Sequence, residues 1–398
     1  MDWLARSTHH DEGQPVGTRR RWVAHTRHDR TATPHRPHRV GIGSRTEETC
    51  GVSSRLITLD GSRGEGGGQI LRTALTLALL TGRAFRLVKV RANREKPGLR
   101  PQHLAALESA ALLGGAEVVG GVVGSRDLTF CPASYTPRDL QIDIGTAGAT
   151  ALVLQTLHLP LALRTERPIR VALTGGTFNT RAPSFPFLET TWRAHLATLG
   201  LPIALAMPST GFYPYGGGRL EAWIEPGQPH AVTRTARGPL VRIRGVAGVA
   251  HLRPVIAARM RDRAEARLAE RGLAAEIELA DWSGPSPGAA IALIAEHEGA
   301  VPATFVGLGE RGKPAEVVAD EAVEELLAFE DAAGGAIDPH SADQLLLPLA
   351  LAPGRSEYTV SEVTDHLRTN AATIRAFLDR EIAIEEPHGD RPGRVVFS

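Results

Sequence analysis

Cysteine and long apolar runs are scarce in this chain of 398 residues. Cys50 and Cys131 are its two cysteines; two are too few for a disulfide framework or a thiolate metal site, and we expect them to be incidental in a reducing cytosol. Apolar runs such as residues 345–352 are far too short to cross a bilayer. No hydrophobic signal segment precedes the expected folded part. The sequence therefore predicts a cytoplasmic protein that does not span a membrane.

A strong charge of one sign is also missing, because the formal net charge is +1. Global charge thus does not indicate nucleic-acid binding, and any basic site must be local. An apolar content of 42% is enough for one large or two medium cores. Residues 1–54 differ from the rest: they have clustered arginines and histidines, few apolar residues and no periodicity. We expect a disordered tail there.

A glycine-rich hinge at residues 60–72 joins a short apolar strand to a helix, since apolar residues recur at helical spacing from Ile70 to Leu79. The glycine-rich segment between the strand and the helix has almost no side chains. The N–H groups at the helix start are therefore accessible to an anion. Glu65 would repel a bare phosphate unless it holds a divalent metal that in turn holds the phosphates. Gln69 and Ile70 stand where a Walker loop needs Lys and Ser or Thr, and a dinucleotide fingerprint needs glycine in place of Gln69. A tight turn without a ligand explains the hinge equally well.

A helix that ends in glycine and runs into an apolar strand occurs three times, with the stops at Gly115, Gly200 and Gly272. A second strand follows each copy after a turn, at residues 128–130, 219–224 and 289–295. Such units predict an α+β protein built from similar α/β modules, each a small sheet with helices on one face. The turn at residues 211–218 carries three aromatic residues that are able to stack on a base, but we expect them to fill the core.

Cations cluster in the loop after the hinge helix, and a second helix follows this loop. The loop and its flanks contain Arg72, Arg91, Arg94, Lys96, Arg100, Gln102 and His103. Guanidinium groups donate bidentately to phosphate and do not lose their charge. A solvated charged loop is the usual outcome for such a run, but its proximity to the hinge favours phosphate binding.

Two helix starts near the C-terminus carry polar groups. Ser341 is predicted to cap a helix that leaves His340, Asp343 and Gln344 at its exposed start, and Pro348 predicts a kink or an early stop. Asn370 is predicted to cap the next helix, which places His366 just before it, where the helix dipole favours a neutral, nucleophilic imidazole. Ordinary capping explains Ser341 and Asp343 without a ligand. His366 remains one candidate among 15 histidines.

Taken together, these motifs resemble the RNA 3′-terminal phosphate cyclase family over the chain from about residue 55 to the C-terminus. The motifs that carry the resemblance are residues 60–72, Lys96-Pro97-Gly98-Leu99 with Gln102-His103, residues 211–218, Ala342-Asp343-Gln344-Leu345, and His366 with Thr369-Asn370. The resemblance implies repeated units of a four-stranded sheet with two helices. It also implies a main domain at residues 55–238 and 336–398 and a smaller inserted α/β domain at residues 239–335.

The resemblance further implies an ATP-dependent enzyme that converts an RNA 3′-phosphate into a 2′,3′-cyclic phosphodiester. His366 would form a covalent intermediate with AMP, and Glu65 would hold a divalent cation, Mg²⁺ or Mn²⁺. Nucleotide or phosphate contacts would come from Arg72, Arg91, Arg94, Gln102, His103, Asp343 and Gln344, and His340 would lie against the adenine. RNA with a 3′-phosphate end is the implied partner, with no obligate protein partner.

The chain departs from the family pattern after Gly176-Thr177, where Phe178-Asn179-Thr180 replaces an acidic residue and an Asn-Pro pair. One alternative is the ribosome-biogenesis branch of the family, which is not catalytic and lacks the nucleophilic histidine. Another is an enolpyruvyl transferase built on related modules, which would form no covalent AMP.

Overall fold

The structure is a computed structural model that describes residues 56–64, 67–332 and 334–398. The predicted tail at residues 1–54 and the predicted metal ligand Glu65 lie outside the described residues. Helices and strands are mixed throughout, and the strands form four sheets of four strands each. The predicted α+β class is confirmed.

Three of the sheets share one topology, in which two parallel strands joined by a helix are followed by a second helix and an antiparallel hairpin. The first unit contains β1 (Ile57–Asp60), α1 (Gln69–Thr81), β2 (Phe85–Val88), α2 (Pro101–Gly114), β3 (Glu117–Val119) and β4 (Leu128–Cys131). Its strand order is β1-β2-β4-β3, with β1 parallel to β2 and both other pairs antiparallel. Gly115 ends α2 with a left-handed φ of 53°, as the predicted stop requires.

The second unit repeats this order as β5-β6-β8-β7. It contains β5 (Leu140–Asp143), α3 (Thr150–Leu163), β6 (Ile169–Gly175), the short α4 (Phe185–Phe187), a π-helical turn (Leu188–Trp192), α5 (Arg193–Thr198), β7 (Ile203–Ser209) and β8 (Gly218–Ile224). The third unit repeats it again, with β9 (Thr233–Arg234), β14 (Ser356–Val360), β16 (Gly393–Phe397) and β15 (Ile382–Glu385) in the order β9-β14-β16-β15.

A fourth sheet is inserted in the chain between the first strand and the first helix of the third unit. The inserted segment contains β10 (Leu240–Ala250), α6 (Val255–Ala269), β11 (Ala275–Asp281), β12 (Gly288–His297), β13 (Ala303–Leu308) and α7 (Ala315–Asp331). The third unit begins with β9 (Thr233–Arg234) and resumes with α8 (Pro339–Leu351), β14 (Ser356–Val360), α9 (Asp365–Phe377), β15 (Ile382–Glu385) and β16 (Gly393–Phe397). The fourth sheet has a different order, β11-β10-β12-β13. The exact domain boundaries at residues 238/239 and 335/336 stay a prediction.

The helices of the three similar units pack against one another and share one core. α1 lies at its centre and contacts α2, α3 and α9, and α8 contacts α9. Leu75 of α1, Leu154 of α3 and Ile374 of α9 are all completely buried in this core. A helix that is buried along most of its length, as α1 is, gains its stability from such burial. The arrangement brings the starts of α1, α2 and α9 to the same region.

Both predicted caps are wrong, and of the kink or early stop predicted at Pro348 the early stop does not occur. Asp338, not Ser341, caps α8, because its side chain accepts hydrogen bonds from the N–H groups of His340 and Ser341. The helix also continues through Pro348 to Leu351. Thr364, not Asn370, caps α9 by accepting from the N–H of Leu367 at 3.1 Å, so His366 lies in the first turn of that helix.

Cys131, in β4, is disulfide-bonded. The expectation that the cysteines are incidental is therefore wrong for Cys131. None of the helices in the described part of the chain combines the length and apolarity that a membrane span needs.

Candidate active site

The side chain of Gln69 forms hydrogen bonds with two polar residues, Asp343 of α8 and His366 of α9. Its side-chain N–H group donates to Oδ1 of Asp343 at 2.5 Å, and its Oε1 lies 2.9 Å from Nδ1 of His366. Gln69 is the first residue of α1 and is buried. Residues nearly 300 positions apart in sequence are thus held together by a single amide.

Asp343 fixes the orientation of that amide. Its Oδ1 also accepts from Nδ2 of Asn370 at 2.9 Å, and Oδ1 of Asn370 in turn accepts from the hydroxyl of Thr73 at 2.7 Å. Burial raises the pKa of Asp343, while nearby His366 and Arg72 and the hydrogen bonds from Asn370 and Gln69 oppose the rise. A carboxylate oxygen only accepts hydrogen bonds, so the group of Gln69 that faces Oδ1 of Asp343 is the amide nitrogen.

The tautomer of His366 follows from the same chain of hydrogen bonds. Because the oxygen of Gln69 faces Nδ1 and has no hydrogen, Nδ1 must be the donor. In the neutral ring, Nε2 then carries the lone pair. Nε2 is the atom through which His366 is able to act as a nucleophile.

His103 is locked in the opposite tautomer. It is 3% exposed, and its Nδ1 accepts the backbone N–H of Arg100 at 3.0 Å. Burial lowers the pKa of His103 to about 3, and the charges of Arg72, Arg91 and Arg100 add to the effect. The ring is therefore neutral at physiological pH and carries its hydrogen on Nε2, which makes Nε2 a donor.

The hinge lies directly against these side chains. A Cβ added to Gly68 would come within 2.2 Å of Nε2 of His103 and 2.9 Å of Nη1 of Arg72. A Cβ added to Gly67 would lie 3.3 Å from Nη2 of Arg94. Only glycine fits at position 68 without displacing His103 and Arg72. Glycine is therefore needed there for space as well as for the turn of the backbone.

Arg72 supplies positive charge near Asp343. Burial lowers its pKa to about 10, and Asp343 opposes the shift. At neutral pH the guanidinium therefore keeps its charge. Together with the starts of α1, α2 and α9, it makes this region attractive to an anion.

The remaining predicted residues are engaged in different ways. Nη1 of Arg91 donates to the carbonyl oxygens of Lys96 and Gly98 and closes the basic loop. Burial lowers the pKa of Arg91, and the charges of Arg100 and Arg94 lower it further. Oε1 of Gln102 accepts the N–H of Ala149 at 2.9 Å, which connects the first unit to the second.

Two residues of α8 point to other elements. Oε1 of Gln344 accepts from Nε2 of Gln155 in α3 at 2.5 Å. Nε2 of His340 lies 3.3 Å from a carboxylate oxygen of Glu325 in α7, and this contact raises the pKa of His340.

Within residues 56–64, 67–332 and 334–398, no group of three or more His, Cys, Asp or Glu side chains is arranged to hold a metal ion. The predicted ligand Glu65 lies outside these ranges. Asp343, which is joined to His366 through Gln69, already accepts two donors at its Oδ1.

Sequence reasoning missed Gln69 and Thr73 as site residues and assigned Asn370 a different role. Gln69 is part of the hinge motif, but the sequence analysis used it only to exclude a Walker loop and a dinucleotide fingerprint. The role of this amide cannot be read from the residues next to it in sequence, because its hydrogen-bond partners belong to α8 and α9.

An imidazole joined to a glycine-lined helix start with cationic side chains around it is the class of site that suits phosphoryl chemistry. The family model described as RNA 3′-terminal phosphate cyclase matches residues 63–384. The chain belongs to the RNA 3′-terminal phosphate cyclase family.

Individual relatives agree with this assignment. A protein named RNA 3′-terminal phosphate cyclase from Caldivirga maquilingensis is 42% identical over 333 residues, covering 82% of this chain and 94% of that protein. Its namesake from Ralstonia nicotianae is 44% identical over 332 residues, covering 83% of this chain and 93% of that protein. Another from Pyrobaculum neutrophilum is 41% identical, with 83% and 95% covered.

Proposed function

We propose that the protein uses ATP to convert the 3′-terminal phosphate of RNA into a 2′,3′-cyclic phosphodiester, through a covalent intermediate in which AMP is bonded to His366. The observation that carries the proposal is the hydrogen-bonded chain from Asp343 through Gln69 to His366. This chain places the ring hydrogen on Nδ1 and the lone pair on Nε2, in a residue that lies close to the start of α1. Family membership supports the substrate and the overall reaction.

In the first step, Nε2 of His366 attacks the α-phosphorus of ATP. The N–P bond forms, the bond from the α-phosphorus to the bridging oxygen breaks, and pyrophosphate leaves. The ring becomes positive as the bond forms, and Nδ1 keeps its hydrogen bond to Gln69. Asp343, at the other end of the amide, stabilises this charge.

In the second step, an oxygen of the RNA 3′-phosphate attacks the phosphorus held by His366 and breaks the N–P bond, which gives an RNA-adenylate and frees the ring. In the third step, the neighbouring 2′-hydroxyl attacks the RNA phosphorus, loses its proton, and displaces AMP. The covalent intermediate thus divides one difficult displacement into easier ones.

The phosphates of ATP need cations and donors at the hinge. Arg72 is charged at neutral pH, Arg94 lies beside Gly67, and Nε2 of His103 is a donor facing Gly68. Backbone N–H groups at the start of α1 add to this set. A divalent cation, Mg²⁺ or Mn²⁺, would neutralise phosphoryl charge, and we assign Glu65 as its protein ligand.

The test is conversion of an RNA oligonucleotide that ends in a 3′-phosphate, with ATP and Mg²⁺ present. We expect a product whose phosphate resists phosphomonoesterase, because a cyclic diester has no terminal monoester. The same RNA with a 2′-deoxy terminal sugar should stop at the RNA-adenylate, since it lacks the attacking hydroxyl.

Failure of the unaltered protein to form either product would contradict the proposal. RNA binding without any ATP-dependent product would instead support the ribosome-biogenesis alternative.

A further inference from the structure

Two tyrosines in the turn at residues 211–218 are exposed to solvent. Tyr213 and Tyr215 are 79% and 70% exposed, whereas Phe212 between Gly211 and Tyr213 is buried. The prediction that these aromatics fill the core is therefore correct for Phe212 and wrong for both tyrosines. Two large aromatic side chains exposed on one short turn form a surface feature that calls for an explanation.

The turn is fixed at its base. The N–H of Gly211 donates to the hydroxyl of Thr177 at 2.9 Å, and the N–H of Phe212 donates to the hydroxyl of Ser286 at 2.7 Å. The hydroxyl of Ser286 donates in turn to the carbonyl oxygen of Gly216 at 3.1 Å. The Phe212 ring stacks on Phe178, with centroids 4.8 Å apart. The two tyrosines are thus presented from an anchored base.

The turn is also continuous with the candidate active site. A Cβ added to Gly216 would lie 2.6 Å from Cα of Ala147, so the turn touches the loop that precedes α3. Two residues further along that loop, Ala149 donates its N–H to Gln102. Gln102 is adjacent in sequence to His103, which faces the hinge. One loop therefore separates the tyrosines from the residues around the proposed phosphate site.

Exposed basic residues flank the same turn. His251 and Arg253 are exposed on the segment after β10, and the imidazole of His251 contacts the carbonyl oxygen of Gly284. Pro285, next along the chain, would lie 2.8 Å from a Cβ added to Gly217. On the other side, exposed Arg181 follows Asn179, whose amide donates to the carbonyl oxygen of Ala147 at 2.6 Å.

We propose that Tyr213 and Tyr215 form a stacking platform for bases of the RNA strand that leads to the 3′-phosphate, with the flanking cations meeting its backbone. The proposal rests on the proposed function for the identity of the strand. Aromatic rings beside cations are the usual means of holding single-stranded nucleic acid without regard to sequence, because every base has a π-face. A cyclase that acts on an RNA end needs such a grip beyond the terminal phosphate.

The test measures binding of a fluorescent single-stranded RNA of about ten nucleotides with a 3′-phosphate, a length within the usual range of single-strand sites. We expect Tyr213→Ala and Tyr215→Ala each to raise the Kd roughly tenfold, as loss of one stacked base predicts. Tyr213→Phe and Tyr215→Phe should stay within about twofold, because the ring is kept. Leu112→Ala is the matched control, since Leu112 is an exposed apolar residue at 49% exposure on α2, and it should bind RNA as the unaltered protein does.

A second readout is photocrosslinking of the unaltered protein to RNA that contains 5-iodouridine near its 3′ end. Crosslinked peptides should contain Tyr213 or Tyr215. Unchanged RNA affinity in both alanine variants, or crosslinks only elsewhere, would overturn the platform. A change of oligomeric state in sedimentation without a change in RNA affinity would also overturn it, and would indicate a second copy of the chain as the occupant.

These outcomes are separate from the proposed chemistry, which is judged by covalent labelling of the unaltered protein with ATP in the absence of RNA. A labelled protein whose tyrosine variants bind RNA normally refutes the platform alone. A protein that binds RNA through the tyrosines but takes no label refutes the covalent step alone.

Discussion

Gln69 is the residue on which the assignment of the attacking atom depends. It accepts from Nδ1 of His366 and donates to Asp343, so one amide sets the tautomer of the proposed nucleophile. The sequence alone offered His366 as a candidate but gave no means of choosing between its two nitrogens. That choice arises from a contact between α1 and α9, whose residues are far apart in the chain.

We predict that Gln69→Leu slows covalent attachment of AMP about 10- to 100-fold. A hydrogen bond to a group that becomes charged contributes about 1.5–3 kcal/mol, and each 1.36 kcal/mol changes a rate tenfold. Nitrogen-15 NMR of labelled histidine should show His366 with its hydrogen on Nδ1 in the unaltered protein and a mixture of tautomers in the variant. A variant that reacts at the normal rate would refute the positioning role.

The proposed divalent-cation site depends on a single protein ligand, Glu65. Glu65→Gln should raise the Mg²⁺ concentration needed for half-maximal attachment of AMP by about tenfold or more, because a neutral amide is a poorer ligand than a carboxylate for a hard cation. The melting temperature should change little. Glu95→Gln is the control, since Glu95 is an exposed carboxylate on the nearby basic loop. Equal Mg²⁺ dependence in both variants would argue against a ligand role for Glu65.

At the scale of elements, the hinge and the start of α9 are in contact. A Cβ added to Gly64 would lie 2.0 Å from the hydroxyl oxygen of Thr369, and the φ of Gly64 is 57°. The sequence pattern located the hinge and the start of α1 correctly, because both follow from local glycines and apolar spacing. It misplaced the start of α9 because Thr364 and Asn370 are both good caps, and the tertiary partners of Asn370 cannot be seen locally.

Gly68→Ala tests whether position 68 of the hinge must lack a side chain. Gly68 has an ordinary helical φ of −79°, so alanine causes no backbone strain there. Its Cβ would instead displace His103 and Arg72. We predict that ATP binding, measured by calorimetry, weakens about tenfold or more, because hydrogen bonds with charged groups contribute about 1.5–3 kcal/mol each.

Gly67→Ala is the matched control, because its nearest neighbour is the end of the flexible Arg94 side chain at 3.3 Å. It should bind ATP more nearly like the unaltered protein. Equal binding by both variants would show that the close approach of Gly68 to His103 has no functional importance.

At the scale of the whole molecule, three sheets of identical order surround a shared helical core. The sequence revealed repeated helix-glycine-strand joints, and their stops at Gly115, Gly200 and Gly272 all have positive φ. It did not reveal that the copy at Gly272, inside the predicted insertion, forms a sheet of different strand order. The true third unit was hidden because the insertion separates β9 from α8, and β9 pairs with β14 far along the chain.

Burial in this shared core also predicts a pH dependence of stability. His158 of α3 is 1% exposed and packs edge-on against Trp192, and burial lowers its pKa to about 3. Since the folded pKa lies below the unfolded value of 6.5, the unfolded state takes up the proton first as the pH falls. The stability from the neutral ring is therefore present above pH 6.5 and is lost between about 6.5 and 3.

His158→Leu should remove this contribution. Between pH 7 and pH 5 its free energy of unfolding should fall by about 2 kcal/mol less than that of the unaltered protein. Denaturant unfolding at the two pH values measures the difference. An identical pH dependence in both proteins would mean that His158 is not neutral in the folded state.

The most direct test of the central claim is incubation of the protein with Mg²⁺ and ATP labelled at the α-phosphate, without RNA. We predict an acid-labile label that mass spectrometry locates on His366, that is absent from His366→Ala, and that persists in His388→Ala, where an exposed histidine is removed instead. An unlabelled native protein, or a label that survives in His366→Ala, would contradict the account.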